Sequence, residues 1–460
     1  MTRQLITRAQ PPLEFIPPRF NPLLLQGCQI FLPLWLRNKT HLRDIQADNV
    51  ERLVDLYSQF QQGKIRFLMA FRHPSVNDPY AMAYLLWKLV PQVAKQKGIS
   101  LQSPIHAHFI YDRGIPLWAG AGVGWLMSHL GGTSIQRGTA DLLGLRSARS
   151  LFSEGAFPIA AAPEGATNGH NEIVSPIEPG IAQLGFWCVN DLQKAHSHQE
   201  VLIVPIGIQY HYLIPPWEAI EKLLTQLELD TGINCPTDLI GKIDESSLYQ
   251  RLFSLGEHLL SLMENFYREN YHQTIPEVAP SELEQNQILK SRLQNLLNVA
   301  LQVAEQYFNL PSNRNMVERC RRVEQAGWDY IYREEFKSNH SLSSVERGLA
   351  DRVAEEASLR MWHMRIVENF VAVTGHYVKE KPSAERFAET ILLVWSLVNR
   401  IKGENPYFRP QLGKQTVSMQ VGEPISISAR WDEYKANRRQ AVAALTTDLQ
   451  AALEHLILET

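Results

Sequence analysis

A histidine and an aspartate stand five residues apart in His73-Pro74-Ser75-Val76-Asn77-Asp78, directly after the apolar run Ile65–Phe71. On a continuous helix, five steps of about 100° leave two side chains about 140° apart, so this pair can meet only across a turn. Pro74 and Pro79 supply the break. A carboxylate on one imidazole nitrogen fixes the tautomer, steadies the imidazolium and leaves the other nitrogen to take a proton from an alcohol. Ser75 reads as a cap of the turn rather than a nucleophile. Farther on, Arg137 closes Gly131-Gly132-Thr133-Ser134-Ile135-Gln136-Arg137, and its guanidinium suits two parallel bonds to a phosphate. Pro163-Glu164-Gly165 follows another apolar run, and at Gly165 the missing Cβ lets a ligand approach the backbone. The pairs His106/His108 and His196/His198 read as packed or solvated side chains. Cys28, Cys188, Cys235 and Cys320 form no Cys-x-x-Cys pair, so neither a metal site nor a disulfide framework is expected.

In order and spacing these blocks resemble the glycerolipid acyltransferases of the lysophosphatidic acid acyltransferase (1-acylglycerol-3-phosphate acyltransferase) type. The first block, His-x-Ser-x-x-Asp, is matched by His73, Ser75 and Asp78; the second by Gly131 and Arg137; the third by Pro163-Glu164-Gly165; the fourth by Val204-Pro205. Gly180 and Gly422-Glu423-Pro424-Ile425 fit as well, so the likeness covers about residues 64–210 and, more weakly, 415–460. The resemblance implies that His73 is the general base activating an acceptor hydroxyl for attack on an acyl thioester, without a covalent acyl-enzyme. It implies further that Asp78 orients His73, that Arg137 and the Glu164-Gly165 turn shape the acceptor site with Ser75 in support, and that no cofactor is needed. The expected partners are an acyl carrier protein or acyl-coenzyme A as donor, a glycerolipid such as a lysophospholipid as acceptor, and a membrane surface. A transacylase of the same fold and a lipid esterase are the alternatives, and the absence of a Gly-x-Ser-x-Gly elbow counts against a serine hydrolase. Two departures stand out. Arg72 occupies the usual place of an asparagine, and Ala166-Thr167 follow Glu164-Gly165 where the family commonly has threonine then arginine. Either the acceptor depends less on phosphate, or Arg72 supplies the missing charge to the substrate.

These residues need a scaffold that brings strand ends together. Apolar runs at 65–71, 105–111, 157–162 and 201–208, each followed by a helical or glycine-rich stretch, predict an α/β layer architecture with its chemistry at strand ends. From Pro216 to about Gly403 the pattern is helical, with room for five or six helices and capping signals at Ser247/Gln250 and Ser281/Glu284. Val417, Met419 and Val421 then alternate with polar neighbours as a strand does. A lone strand is unstable, so it must join the earlier sheet. The expected fold is α/β: a mixed sheet covered by helices, with a large all-helical insertion. The expected division is 46–215 plus 412–460 for the catalytic domain and 216–411 for the insertion. A last helix, with Val442, Leu445, Leu449, Ala452 and Leu456 on one face, packs back on the sheet.

Of 460 residues, 45 are basic and 48 acidic, a formal charge of −3, which gives no field for wrapping nucleic acid. Residues 1–43 differ, carrying six basic side chains against Glu14 alone, next to the apolar run Leu23–Leu36. That run is shorter than the roughly 20 residues a spanning helix needs. Residues 1–45 are therefore expected to form an amphipathic membrane-associating segment, the competing reading being a helix that packs on the core. With no secretory signal at Met1–Gln10, the expected location is cytoplasmic, with peripheral or monotopic membrane association.

Overall fold

The computed structural model describes residues 6–136, 141–233, 241–278, 284–337, 342–370 and 376–458. They fall into two compact units, one of Glu14–Leu213 with Lys414–Thr460 and one of Met1–Leu13 with Ile214–Gly413.

The first unit is built on an eight-stranded mixed sheet. Its strands are β1 (Leu42–Asp48), β2 (Ile65–Phe71), β3 (His108–Asp112), β4 (Thr133–Ile135), β5 (Ile159–Ala161), β6 (Glu200–Tyr212), β7 (Gln415–Val421) and β8 (Ile425–Ser426), ordered β1-β7-β6-β2-β5-β3-β4 with β8 also on β6. Strands β6, β2, β5, β3 and β4 run parallel, whereas β7 and β8 pair antiparallel with β6. Alternation along β2 sends Phe67, Met69 and Phe71 into one core and Leu68 and Ala70 into another. Helices α1 (Pro22–Lys39), α2 (Val50–Gln61) and α3 (Asp78–Tyr84) cover the first face; Leu142–Glu154, Gly180–Lys194 and Arg438–His455 cover the second. Burial on both faces explains why β6 is apolar without alternation from Val201 to Ile208. Near its middle, a Cβ on Gly422 would come within 2.7 Å of the Pro205 ring, and the Gly422 amide donates to the Pro205 carbonyl at 2.9 Å. The late glycine and the Val-Pro block are thus two sides of one close packing contact.

The second unit is helical. Among the described residues six helices have fifteen residues or more: Trp217–Thr231, Glu245–Tyr271, Gln285–Phe308, Met316–Ile331, Ser344–Phe370 and Ala384–Lys402. Buried ion pairs tie neighbours together, Arg251 to Glu228 at 2.7 Å and Arg319 to Glu305 at 2.7 Å. The helix expected to be capped by Ser247 starts earlier, because Asp244 accepts from the Ser247 amide at 2.9 Å. Ser281 lies outside the described residues.

The expectation of one segment over 1–45 needs correction. Residues 6–10 belong to the helical unit, where the amides of Ile6 and Ala9 donate to Ser358 Oγ and Asp351 Oδ1, both at 2.9 Å, and Gln10 bridges to Tyr332. Leu42 already lies in the edge strand β1. Only α1 remains of the amphipathic segment, started by Asn21, whose side chain accepts from the amides of Leu23 and Leu24, and by Pro22 in its first turn. Leu25, Leu32 and Leu36 make its buried stripe, while Leu23, Ile30, Phe31, Leu34 and Trp35 are exposed. One face of this helix packs on the core, and the other leaves apolar side chains exposed. Among the described residues no helix is long and apolar enough to cross a membrane.

Candidate active site

Strand β2 ends at Phe71 and the chain turns at Pro74 before α3 opens on Asp78. Across that turn His73 Nδ1 meets Asp78 Oδ2 at 2.7 Å. The Ser75 amide donates to the same oxygen at 3.0 Å, and the Tyr210 hydroxyl donates to Oδ1 at 2.5 Å. Asp78 is fully buried, so three fixed donors replace the water that a carboxylate otherwise requires. Tyr210 comes from β6, four residues beyond the Phe71↔Ile206 pair, where β6 outruns β2 and overhangs the turn. Burial first, and the negative charge of Asp78 second, hold the Tyr210 phenol well above its ordinary range, so it keeps its proton and serves only as a donor. With Nδ1–H given to Asp78, the lone pair at Nε2 points outward from a side chain that keeps 22 % exposure.

The Pro163-Glu164-Gly165 turn lies against this dyad from the end of β5. Gly165 takes a left-handed φ of +72° there, which a side chain would strain. The Glu164 carboxylate accepts from the His73 amide at 2.7 Å, the Asn168 side-chain amide at 2.7 Å and the Ser175 amide at 2.9 Å. Desolvation pushes its pKa up, partly opposed by Arg72, whose Nε stands 4.0 Å from Oε1. The Asn168 amide donates back to the His73 carbonyl at 3.2 Å. The loop and the histidine are therefore clamped from both sides, and Thr167 Oγ1 comes to rest 3.2 Å from His73 Nε2. Among the described residues the amides of Ala166 and Thr167 donate to no acceptor.

Two expected substrate contacts are corrected by this geometry. Arg72 has no exposed surface; its guanidinium donates to the carbonyls of Asn171, His170 (3.1 Å) and Ile173 (2.6 Å), pinning the loop beneath the turn. It cannot supply charge to a substrate. Glu164, with 4 % exposure and a full set of donors, is likewise an internal brace. Ser75 stays with the turn, its Oγ accepting from the Asn77 amide at 3.2 Å. Arg137 lies outside the described residues. The His106/His108 pair is engaged in packing: the Trp87 indole donates to His106 Nδ1 at 3.2 Å, and His106 Nε2 and His108 Nδ1 sit 2.7 Å and 2.8 Å from the carbonyls of Leu130 and Gly131. Among the described residues no three His, Cys, Asp or Glu side chains converge as metal ligands.

Tyr210, Asn168 and Asn171 escape sequence reasoning. Asn171 pairs with the Tyr210 backbone in both directions at 2.8 Å and so fixes the height of β6 over the turn. The one available signal is the appearance of Gln209 and Tyr210 at the end of an otherwise apolar run. No protein-family model matches the chain, and no curated protein matches it.

Proposed function

We propose that this chain is an O-acyltransferase of the lysophosphatidic acid acyltransferase type, moving a fatty acyl group from a thioester on acyl carrier protein or coenzyme A to a hydroxyl of a glycerolipid such as a lysophospholipid. One observation carries the reading: His73, oriented by buried Asp78, presents Nε2 at the strand end against the Pro163–Gly165 turn, so the first and third sequence blocks meet around a single proton acceptor. A base in that setting takes the proton of an alcohol as its oxygen attacks a thioester carbonyl.

The acceptor is an amphiphile, and α1 offers a way to reach it. Ile30, Phe31, Leu34 and Trp35 face outward beside exposed Arg37, Lys39 and Arg43, a combination suited to the plane of an anionic bilayer on its cytoplasmic side. The Trp35 ring lies tilted against Tyr80 on α3, the helix that begins at Asp78, with ring centroids 6.3 Å apart. Peripheral membrane association follows from this reading.

The test is an acyl-transfer assay with acyl carrier protein and coenzyme A thioesters against neutral and phosphorylated lysolipids, with His73→Ala as control. Absence of transfer from both donors to every acceptor refutes the reading.

A further inference from the structure

We propose that Arg400 and Arg409 of the helical unit form a binding site for a phosphate group. The site is independent of the acyl-transfer reading, which uses neither residue. Arg400 lies in the last turn of the helix Ala384–Lys402 with 8 % of its surface exposed, and the Trp362 indole donates to its carbonyl at 3.2 Å. Ser396 stands one turn earlier on the same face, and its Oγ accepts from Arg409 Nε at 2.9 Å. The chain beyond the helix therefore folds back and sets a second guanidinium beside the first. Burial lowers the pKa of both, and like charge adds to the effect, Arg365 acting on Arg400 and Arg400 on Arg409. A guanidinium keeps its proton all the same, so both charges persist and call for an anion.

Buried charges are ordinarily paired. Among the described residues neither Arg400 nor Arg409 forms an ion pair, and Arg400 Nε has no hydrogen-bond partner. The nearby carboxylates are engaged elsewhere: Arg321 and Arg365 share Glu324 and Glu368 at 2.7–3.2 Å, and Glu389 accepts from the Tyr377 hydroxyl at 2.5 Å. Tyr407 reaches Arg400 with its hydroxyl and with a ring centred 5.9 Å away, a weaker partner than a carboxylate. A phosphate monoester carries about −1.5 to −2 charges near pH 7, which matches two guanidiniums, and its oxygens accept the parallel bonds that each fork offers. A carboxylate has half that charge. Beside Arg409, Tyr407 and Phe408 are 48 % and 71 % exposed and offer flat faces to whatever bears the phosphate.

The test is calorimetric titration of the full chain, in chloride buffer of constant ionic strength, with inorganic phosphate, with adenosine 3′,5′-bisphosphate, and with phosphatidylcholine vesicles with and without phosphatidic acid. Binding of at least one phosphate probe is expected, weakened about tenfold or more in Arg400→Met, as for the loss of a hydrogen bond to a charged group. Arg409→Gln keeps a donor for Ser396 and is expected to weaken binding likewise. Tighter variant-sensitive binding of the bisphosphate than of inorganic phosphate assigns the exposed rings to a nucleobase; variant-sensitive binding confined to phosphatidic acid assigns the site to a lipid headgroup. Because removal of a buried cation without a counter-ion relieves the fold, Arg400→Met should unfold no earlier than wild type in phosphate-free buffer. The proposal is overturned if no phosphate probe binds, or if both variants bind as wild type does. It is overturned equally if Arg400→Met unfolds early while Arg409→Gln binds normally, which makes the pair a packing element. None of these outcomes bears on acyl transfer.

Discussion

The Tyr210 hydroxyl donates to Asp78 Oδ1 at 2.5 Å although 132 residues separate the two in the chain. The dyad is thus set by the length of β6 as much as by the turn that holds it. Removing the hydroxyl in Tyr210→Phe leaves a buried carboxylate one donor short. A hydrogen bond to a charged group is worth about 1.5–3 kcal/mol, so the variant should be destabilised by about that amount and lose about 10-fold or more in kcat as His73 loses its alignment. Its KM for the acceptor should hardly change. Steady-state kinetics beside denaturant unfolding checks both parts.

His73→Ala is expected to remove acyl transfer while leaving stability close to wild type, because the side chain reaches the surface and fills little core. General-base catalysis contributes about 10² to 10⁴ in rate. Turnover within tenfold of wild type would sink the assignment.

Glu164 separates a brace from a substrate contact. Glu164→Ala strands the amides of His73 and Ser175 in a buried setting, a loss of about 1–3 kcal/mol for an unmet donor. The expected result is a lower unfolding midpoint together with a fall in kcat for phosphorylated and neutral acceptors alike. A rise in KM confined to phosphorylated acceptors, with stability intact, would return Glu164 to the binding surface.

Acid should weaken the sheet unit through His106. Burial lowers its pKa from 6.5 to about 4, and the Trp87 indole already occupies Nδ1. Because the folded pKa lies below the unfolded one, the stability is complete above pH 6.5 and is lost as pH falls toward 4, a difference of about 3 kcal/mol at 1.36 kcal/mol per unit. His106→Gln keeps a donor and an acceptor but does not titrate. Its unfolding midpoint should therefore fall less than wild type's between pH 7 and pH 4.5.

The outward face of α1 calls for point substitutions. Deleting residues 1–43 would also remove Leu25, Leu32 and Leu36 from the core and Leu42 from β1, so insolubility of that deletion says nothing about membranes. Replacing Ile30, Phe31 and Trp35 by serine alters exposed positions and should keep the fold while abolishing co-sedimentation with anionic vesicles. Undiminished vesicle binding by the folded variant would place the contact elsewhere.

Strongly patterned parts of this molecule were legible from the sequence. Continuous apolar runs marked β2 and β6, and the alternation of Val417, Met419 and Val421 marked β7. By contrast β1, which reads Leu-Arg-Asp-Ile-Gln-Ala-Asp, buries only Leu42 and Ile45 and carries no periodic signal, since an edge strand is defined by its partner β7. The His73–Asp78 contact was readable from spacing and prolines because it is local. Arg72 misled because charge beside a candidate base suggests substrate, whereas here the loop carbonyls it binds come from about a hundred residues away. Tyr210 had only the faint signal of Gln209-Tyr210 ending an apolar run, which does not name its partner; that is chosen by the register of β6 on β2.

The register of β6 has a further consequence, in the order of synthesis. One flank of this strand is met by β2 as soon as the chain reaches Tyr212, but the other is met by β7, with Tyr210 opposite Val417, only after the whole helical insertion has been made. At about 5–20 residues per second, a ribosome leaves that apolar edge open for about ten seconds or longer. An emerging chain halted before Lys414 would carry His73, Asp78 and Tyr210 together with an uncapped strand, the very feature that invites pairing with another chain. The insertion therefore sets a delay between the appearance of His73, Asp78 and Tyr210 and the closing of the sheet that holds them.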